Sequence, residues 1–76
     1  MSTLKTRVDC LTDYYAIEFD WAKKWAESIG QSMYYAKMTE KLPAVAIIMR
    51  SPIDEKYIRR IIKANNNITI FKIQAY

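Results

Sequence analysis

The run Ala44-Val45-Ala46-Ile47-Ile48-Met49 is apolar throughout and shows no alternation. A strand with one wet face alternates between apolar and polar residues, so an unbroken run reads as a strand buried on both faces, usually parallel to a neighbour. Parallel neighbours need a crossover connection, usually a helix. This segment therefore asks for helices around it, and the chain supplies one on each side.

Upstream, residues 21–41 have a helical pattern. With Ala22 as origin and about 100° per residue, Trp25, Ala26, Ile29, Met33 and Ala36 fall within about 60° of it, a stripe expected to face the core. Asp20 is placed to cap the start, and Pro43 lies beyond the end. Downstream, Ser51-Pro52-Ile53-Asp54 is a helix start with a Ser N-cap, an early Pro and an acid at the third position. That helix is expected to run to about Ala64, with Ile58, Ile61 and Ile62 buried. Asn65-Asn66-Asn67 should end it, since Asn tolerates left-handed backbone. Residues 68–75 read as the last strand. Residues 7–12 and 15–20 read as two strands joined by a tight hairpin, after a short tail over residues 1–6. The expected fold is α/β in the order ββαβαβ, a mixed sheet with helices packed on it, forming a single domain over residues 1–76.

Length and composition set the functional limits. At 76 residues the chain buries only about 60% of its unfolded surface, and the large barrel and dinucleotide folds are excluded. There is no histidine, which removes Ser-His-Asp triads, Cys-His dyads and His-based zinc sites. Any chemistry must come from carboxylates, lysines, hydroxyls or an oxygen-bound metal. Cys10 is the single cysteine, so no internal disulfide forms, which suits a cytoplasmic setting. The longest apolar run, residues 43–49, is too short to span a bilayer, and residues 1–7 lack the apolar core of a signal peptide. The net charge of +4 is compatible with a polyanionic partner and equally with an ordinary basic domain.

A hairpin loop with an even number of residues, either Asp13-Tyr14 or residues 12–15, puts Asp9 directly opposite Glu18. Their Cβ atoms would then lie roughly 4.5–5.5 Å apart. Two carboxylates so close repel unless a cation sits between them, and Mg²⁺ takes one or two carboxylates plus waters. Asp20, two residues beyond Glu18 on the same strand face, is a candidate third oxygen ligand. An odd loop would instead set Asp9 opposite Ile17 or Phe19, and the bland reading is a solvated acidic hairpin. On the same wheel Lys24, Gln31 and Tyr35 lie near about 200°, 180° and 220°, a polar ridge away from the apolar stripe, with Lys23 on a flank. The ridge suits phosphate and water contacts or is simply a solvated face.

Val8-Asp9, then residues 16–25 (Ala-Ile-Glu-Phe-Asp-Trp-Ala-Lys-Lys-Trp), then residues 29–36 (Ile-Gly-Gln-Ser-Met-Tyr-Tyr-Ala), together resemble the PD-(D/E)xK nuclease superfamily. The likeness is to its RecB-type and resolvase-like branch with a Gln-x-x-x-Tyr helix motif, and it covers roughly residues 7–50. It implies a restriction-endonuclease-like core in which Asp9 and Glu18 bind Mg²⁺ (or Mn²⁺) and Gln31 and Tyr35 supply the helix motif. Two departures stand out. Asp20 occupies the place of the usual lysine, so Lys24, or second Lys23, would have to supply the amine from the helix. The family's opening helix and strand also have no counterpart in the six residues ahead of the first strand. A minimal core, a decayed fragment, or a homodimer covering an open sheet edge would each account for that, and the hazard of an open edge favours the dimer.

On the second helix Lys56, Arg59, Arg60 and Lys63 share one stripe opposite the isoleucines, either a phosphate-binding strip or a solvated face. Tyr34, Tyr35 and Tyr57 are candidates for base stacking, Trp21 and Trp25 for the core, and Cys10 for packing on the face away from Asp9. The expected function is a metal-dependent DNA nuclease, an endonuclease before an exonuclease, with no small-molecule cofactor and no membrane partner. The alternative is an inactive nucleic-acid-binding or dimerising module with the same fold.

Overall fold

The apolar run becomes β3, Leu42–Met49, an interior strand of a four-stranded sheet. The computed structural model describes residues 8–76; the expected tail over residues 1–6, and Arg7 of the first expected strand, lie outside the described residues. Along the chain the other elements are β1 (Cys10–Leu11), β2 (Tyr15–Trp21), α1 (Trp25–Thr39), α2 (Glu55–Ala64) and β4 (Thr69–Gln74). A short 3-10 turn precedes each helix, at Ala22–Lys24 and at Pro52–Asp54. The sheet order is β1-β2-β3-β4, with β1 antiparallel to β2 and the next two pairs parallel. It is a small mixed α/β domain in the order ββαβαβ. Among the described residues no helix is long and apolar enough to cross a membrane.

Each parallel step moves one strand further in the same direction. Right-handed crossovers repeated in one direction put both helices on one side of the sheet. The packing agrees: Val45, Ile47 and Met49 of β3 form one core with Ala22, Ile58, Ile61 and Ile68, and Trp25, Ile29 and Tyr57 pack against it. Fully burying a side chain such as Ile61 is worth about 1.5–3 kcal/mol. Among the described residues the opposite sheet face has no helix. There Ala44 and Ala46 are buried with Ile17 beside Cys10 and Tyr15, and the Tyr15 and Phe71 rings meet edge to face at 5.9 Å. Tyr15 belongs to β2 and Phe71 to β4, so they reach each other across β3, whose alanines on this face are small enough to let them. Thus β3 is buried on both faces, one side by helices and the other by neighbouring aromatics. Cys10 packs on the face away from Asp9, as its register predicts.

The buried line of α1 differs from the one hydropathy predicts. Ser28, Ser32, Tyr35 and Ala36 are buried, whereas Ala26 is exposed and Met33 is 46% exposed. The helix is rolled toward its serines because they are small and their hydroxyls are satisfied. Ser32 donates to the carbonyl of Ala44 at 2.8 Å and reaches that of Ala16 at 3.4 Å, while Ser28 donates to the Lys24 carbonyl at 3.3 Å. A buried hydroxyl with a partner carries little penalty, and Ser in place of a long apolar side chain lets the helix lie close to β2 and β3. On α2 the buried line runs through Asp54, Ile58 and Ile61 with Tyr57 packed beside it, which leaves Ile62 52% exposed rather than buried. Trp21 is also 42% exposed rather than core, because its strand position points it to the face without helices.

The helix ends are made differently from their sequence signals. No side-chain hydrogen bond from Ser51 caps α2; the buried Asp54 instead accepts the Arg50 N–H at 2.9 Å. Asn65 is extended rather than left-handed and accepts the Asn67 N–H at 2.9 Å, an Asx turn that closes the helix without positive φ. The left-handed residue is Glu40, φ 59°, just after α1. Asp20 does not cap over several residues as the sequence pattern suggests; its Oδ1 accepts the adjacent Trp21 N–H at 2.8 Å.

Candidate functional site

The hairpin loop is held by Thr12. Its N–H donates to the Tyr15 carbonyl at 2.9 Å, and its hydroxyl accepts the N–H of Tyr15 at 2.8 Å and of Tyr14 at 3.2 Å. Beyond the turn Leu11 pairs with Ala16 and Cys10 with Ile17, the even-loop register. One step further out, the same register continued would set Asp9 against Glu18. The regular ladder stops at Cys10, and side chains continue it. Glu18 Oε2 accepts the Asp9 N–H at 3.2 Å, and Asp9 Oδ2 accepts the Phe19 N–H at 3.1 Å.

The two carboxylates have unequal surroundings. Glu18 lies under the helical layer with 1% exposure, next in the strand's facing series after Ala16, on which Tyr35 and Ala36 pack. Asp9 is exposed. A buried carboxylate is tolerated where it is hydrogen-bonded, paired or metal-bound. The donor set is hard carboxylate oxygen, which fits Mg²⁺ or Mn²⁺ and not a thiophilic ion. A carboxylate has about four lone-pair sites, so accepting a backbone N–H and ligating a cation are compatible. Among the described residues no three acidic or cysteine side chains gather closely enough to hold a cation together, so Asp20 is not brought into a trio with Asp9 and Glu18, which are linked through backbone contacts.

The expected ridge on the helix is divided. Lys23 and Lys24 are exposed in the turn that joins β2 to α1, and Gln31 is exposed one helical face away from the sheet. Tyr35 is buried to 6% beside Ala16 and stacks edge to face on the 51% exposed Tyr34 at 5.3 Å. Tyr35 thus belongs to the helical layer packed on β2, and of this pair only the Tyr34 ring is open to solvent. The roll of α1 toward Ser28 and Ser32 is the cause. Those serines were missed because a polarity wheel counts them as surface; their spacing of four, continued by Ala36, is the signal that marks them as a close-packing line.

On α2 Arg59, Arg60 and Lys63 are exposed and Lys56 is half-buried. Together with Ile62 they line a shallow hollow of about 490 Å³. Tyr57 carries two of these cations, with Lys56 Nζ 5.1 Å and the Arg60 guanidinium 5.3 Å from its ring centroid. The arrangement spreads positive charge over a concave strip, a shape suited to a phosphate backbone.

Comparisons with family models, with curated proteins and with solved structures found no match to this chain.

Proposed function

We propose that this chain is a divalent-metal-dependent DNA nuclease of the PD-(D/E)xK type, an endonuclease with a minimal restriction-endonuclease-like core, working in the cytoplasm as a homodimer. The observation that carries the reading is the interlocked pair Asp9–Glu18, Asp9 just ahead of β1 and Glu18 on β2, tied by reciprocal contacts to the backbone at 3.2 and 3.1 Å. A hairpin needs no such pair for its own stability, since like charges directly opposite are destabilising.

Asp9 and Glu18 would hold Mg²⁺ or Mn²⁺. A divalent cation in such a site supplies charge neutralisation at the scissile phosphate and a lowered water pKa. Glu18, fixed inside the layer, sets the position of the pair, and Asp9 presents it to solvent. Lys24, or Lys23 one residue earlier, donates from its ammonium to a phosphate oxygen or to the attacking water. Gln31 donates to the nucleic-acid backbone, and Lys56, Arg59, Arg60 and Lys63 hold flanking phosphates.

A second reading has its own observation. Both carboxylates already serve as acceptors for strand N–H groups, and Asp20 caps its neighbour, which is what a purely structural hairpin clasp in a DNA-binding module would do. The two readings separate in one assay. Supercoiled and linear DNA are incubated with purified protein in Mg²⁺, in Mn²⁺ and in chelator, alongside Glu18→Gln. Metal-dependent cleavage that Glu18→Gln abolishes supports the nuclease. Salt-sensitive DNA binding without cleavage supports the module, and cleavage that survives Glu18→Gln overturns the assigned pair.

A further inference from the structure

Both helices cover one side of the sheet, and the residues that point to the other side form a continuous uncharged surface. The pairing registers align Tyr15 with Leu42, Phe19 with Ala46 and Phe71, and Trp21 with Ile48 and Ile73. Five of these large apolar residues are open to solvent: Leu42 57%, Phe19 43%, Trp21 42%, Phe71 42% and Ile73 36%. Among the described residues none of the strand positions on this face carries a charge. Arg50 stands at its rim, with its guanidinium 4.5 Å from the Trp21 ring centroid. Scattered exposed apolar residues are ordinary, but a contiguous patch of several hundred Å² marks an interaction site.

We propose that this helix-free face is a self-association surface, on which a second copy of the chain packs sheet to sheet about a two-fold axis. The face would give the homodimer of the nuclease reading its interface; mass is measured rather than cleavage, so the two can fail separately. Three observations select a second copy. Charge comes first. Each chain carries +4, and the strand positions of this face among the described residues add no like charges to a contact between two copies. Shape comes second. A two-fold contact needs a patch complementary to itself, and two sheet faces studded with aromatics and small alanines interdigitate in the manner of a sandwich core, about 10 Å apart. Size comes third. With aromatic side chains at about 150–250 Å² each, the exposed parts of the patch amount to on the order of 500 Å² per copy. A symmetric pair then buries roughly 1,000 Å² in total, the lower bound for a specific interface. The same contact would give so small a domain the second apolar layer it lacks. Nucleic acid is disfavoured here because the strand positions of the face carry no cations for phosphates and Arg50 stands only at its rim, in contrast to the four cations of α2.

The contact uses the sheet face and leaves the β4 edge unpaired, so face and edge dimers are separable. The test is the molar mass of the full chain by light scattering after size exclusion, across roughly 5–200 µM. The expected result is a concentration-dependent rise from the 9.0 kDa chain to twice that mass. The rise should be lost in Phe19→Lys and in Phe71→Lys and kept in Met38→Lys, which alters an exposed residue on α1. Because a lysine on the sheet could unfold the domain, a second readout uses Trp25→Phe, which leaves Trp21 as the sole indole. Its emission should shift to the red and become more open to iodide quenching as the protein is diluted. A wild-type chain that stays at monomer mass over the whole range overturns the proposal. So does association that persists in folded Phe19→Lys and Phe71→Lys proteins, as an edge-to-edge dimer would, or Trp21 quenching that does not change with concentration.

Discussion

Asp9 and Glu18 are clasped crosswise: the Glu18 carboxylate accepts the Asp9 N–H, and the Asp9 carboxylate accepts the N–H of Phe19, the residue after Glu18. The clasp extends the β1–β2 ladder past its last regular pair and fixes two acids at one end of the hairpin. It therefore makes separate demands on charge and on geometry. Glu18→Gln keeps an acceptor oxygen and removes the charge, whereas Glu18→Ala removes both. Losing a ligand should cost more than the 10–100-fold typical of groups behind the ligands, so Glu18→Gln is expected to lower metal-dependent cleavage by roughly 100-fold or more. Cooperative unfolding should be retained. Glu18→Ala should in addition lose about 1–3 kcal/mol of stability, because the acceptor of the Asp9 N–H and the packed atoms of a buried side chain go together. Cleavage kinetics and urea unfolding of the two variants check both halves.

Ser32 joins α1 to two strands through one hydroxyl, at 2.8 Å from the Ala44 carbonyl and 3.4 Å from that of Ala16. Ser32→Ala should cost about 1 kcal/mol, the net worth of a neutral hydrogen bond. Ser32→Leu should cost more, about 1–3 kcal/mol or beyond, since its side chain would have to fit where the helix lies against the sheet. Hydropathy alone gives the opposite ranking. Midpoints in urea, compared at equal slope, decide between them.

Gly30 sits within α1 with nothing within 4 Å of where a Cβ would lie. No close approach requires it. Gly30→Ala should therefore raise stability by about 0.5–1 kcal/mol through helix propensity and a less free unfolded chain, read as a higher midpoint without loss of activity.

Glu40 is the opposite case, a side chain held at φ 59° and ψ 37° to end α1, with its N–H on the Ala36 carbonyl. The Lys41 N–H shares that carbonyl at 2.9 Å, and Lys41 Nζ donates to the Asp13 carbonyl at 2.8 Å. Left-handed backbone costs an L-residue about 1–2 kcal/mol that glycine avoids. Glu40→Gly should gain up to about 1 kcal/mol, whereas Glu40→Val should lose at least as much. Thermal midpoints of the pair provide the check.

The cationic strip on α2 predicts salt dependence. Replacing Arg59, Arg60 and Lys63 together by Gln should weaken DNA binding at low salt. It should also reduce the slope of log affinity against log salt by up to about 2–3, at about 0.7–0.9 for each phosphate no longer neutralised. Fluorescence anisotropy with labelled DNA at several salt concentrations measures it. An unchanged slope would show that these cations face water alone.

Strand and helix order was legible because its signals are local. The unbroken apolar run gave an interior parallel strand; Ser51-Pro52 marked where the second helical segment starts; the short hairpin permitted the even register that sets Asp9 against Glu18. The less legible parts share a different cause. Met33 and Ser32 are adjacent in sequence, and their polarity argues for burying the methionine. The reverse holds because Ser32 finds two carbonyls and lets α1 approach the sheet. Tyr35 left the polar ridge for the same reason, carried inward by the roll of its helix. Trp21 counted as core by composition, yet strand parity turns it to the side where no helix lies.

The amino-acid sequence by itself determined the element order, the mixed sheet and the chemistry open to a histidine-free chain, since apolar periodicity, helix-start signals and residue inventory act within a few positions. Only the tertiary structure decided which face of α1 is buried, how the two acids interlock, and that one side of the sheet is left without helices. Those outcomes depend on partners distant in the chain: a carbonyl for a serine, a backbone N–H for a carboxylate, and two crossovers of the same hand that place both helices on one layer.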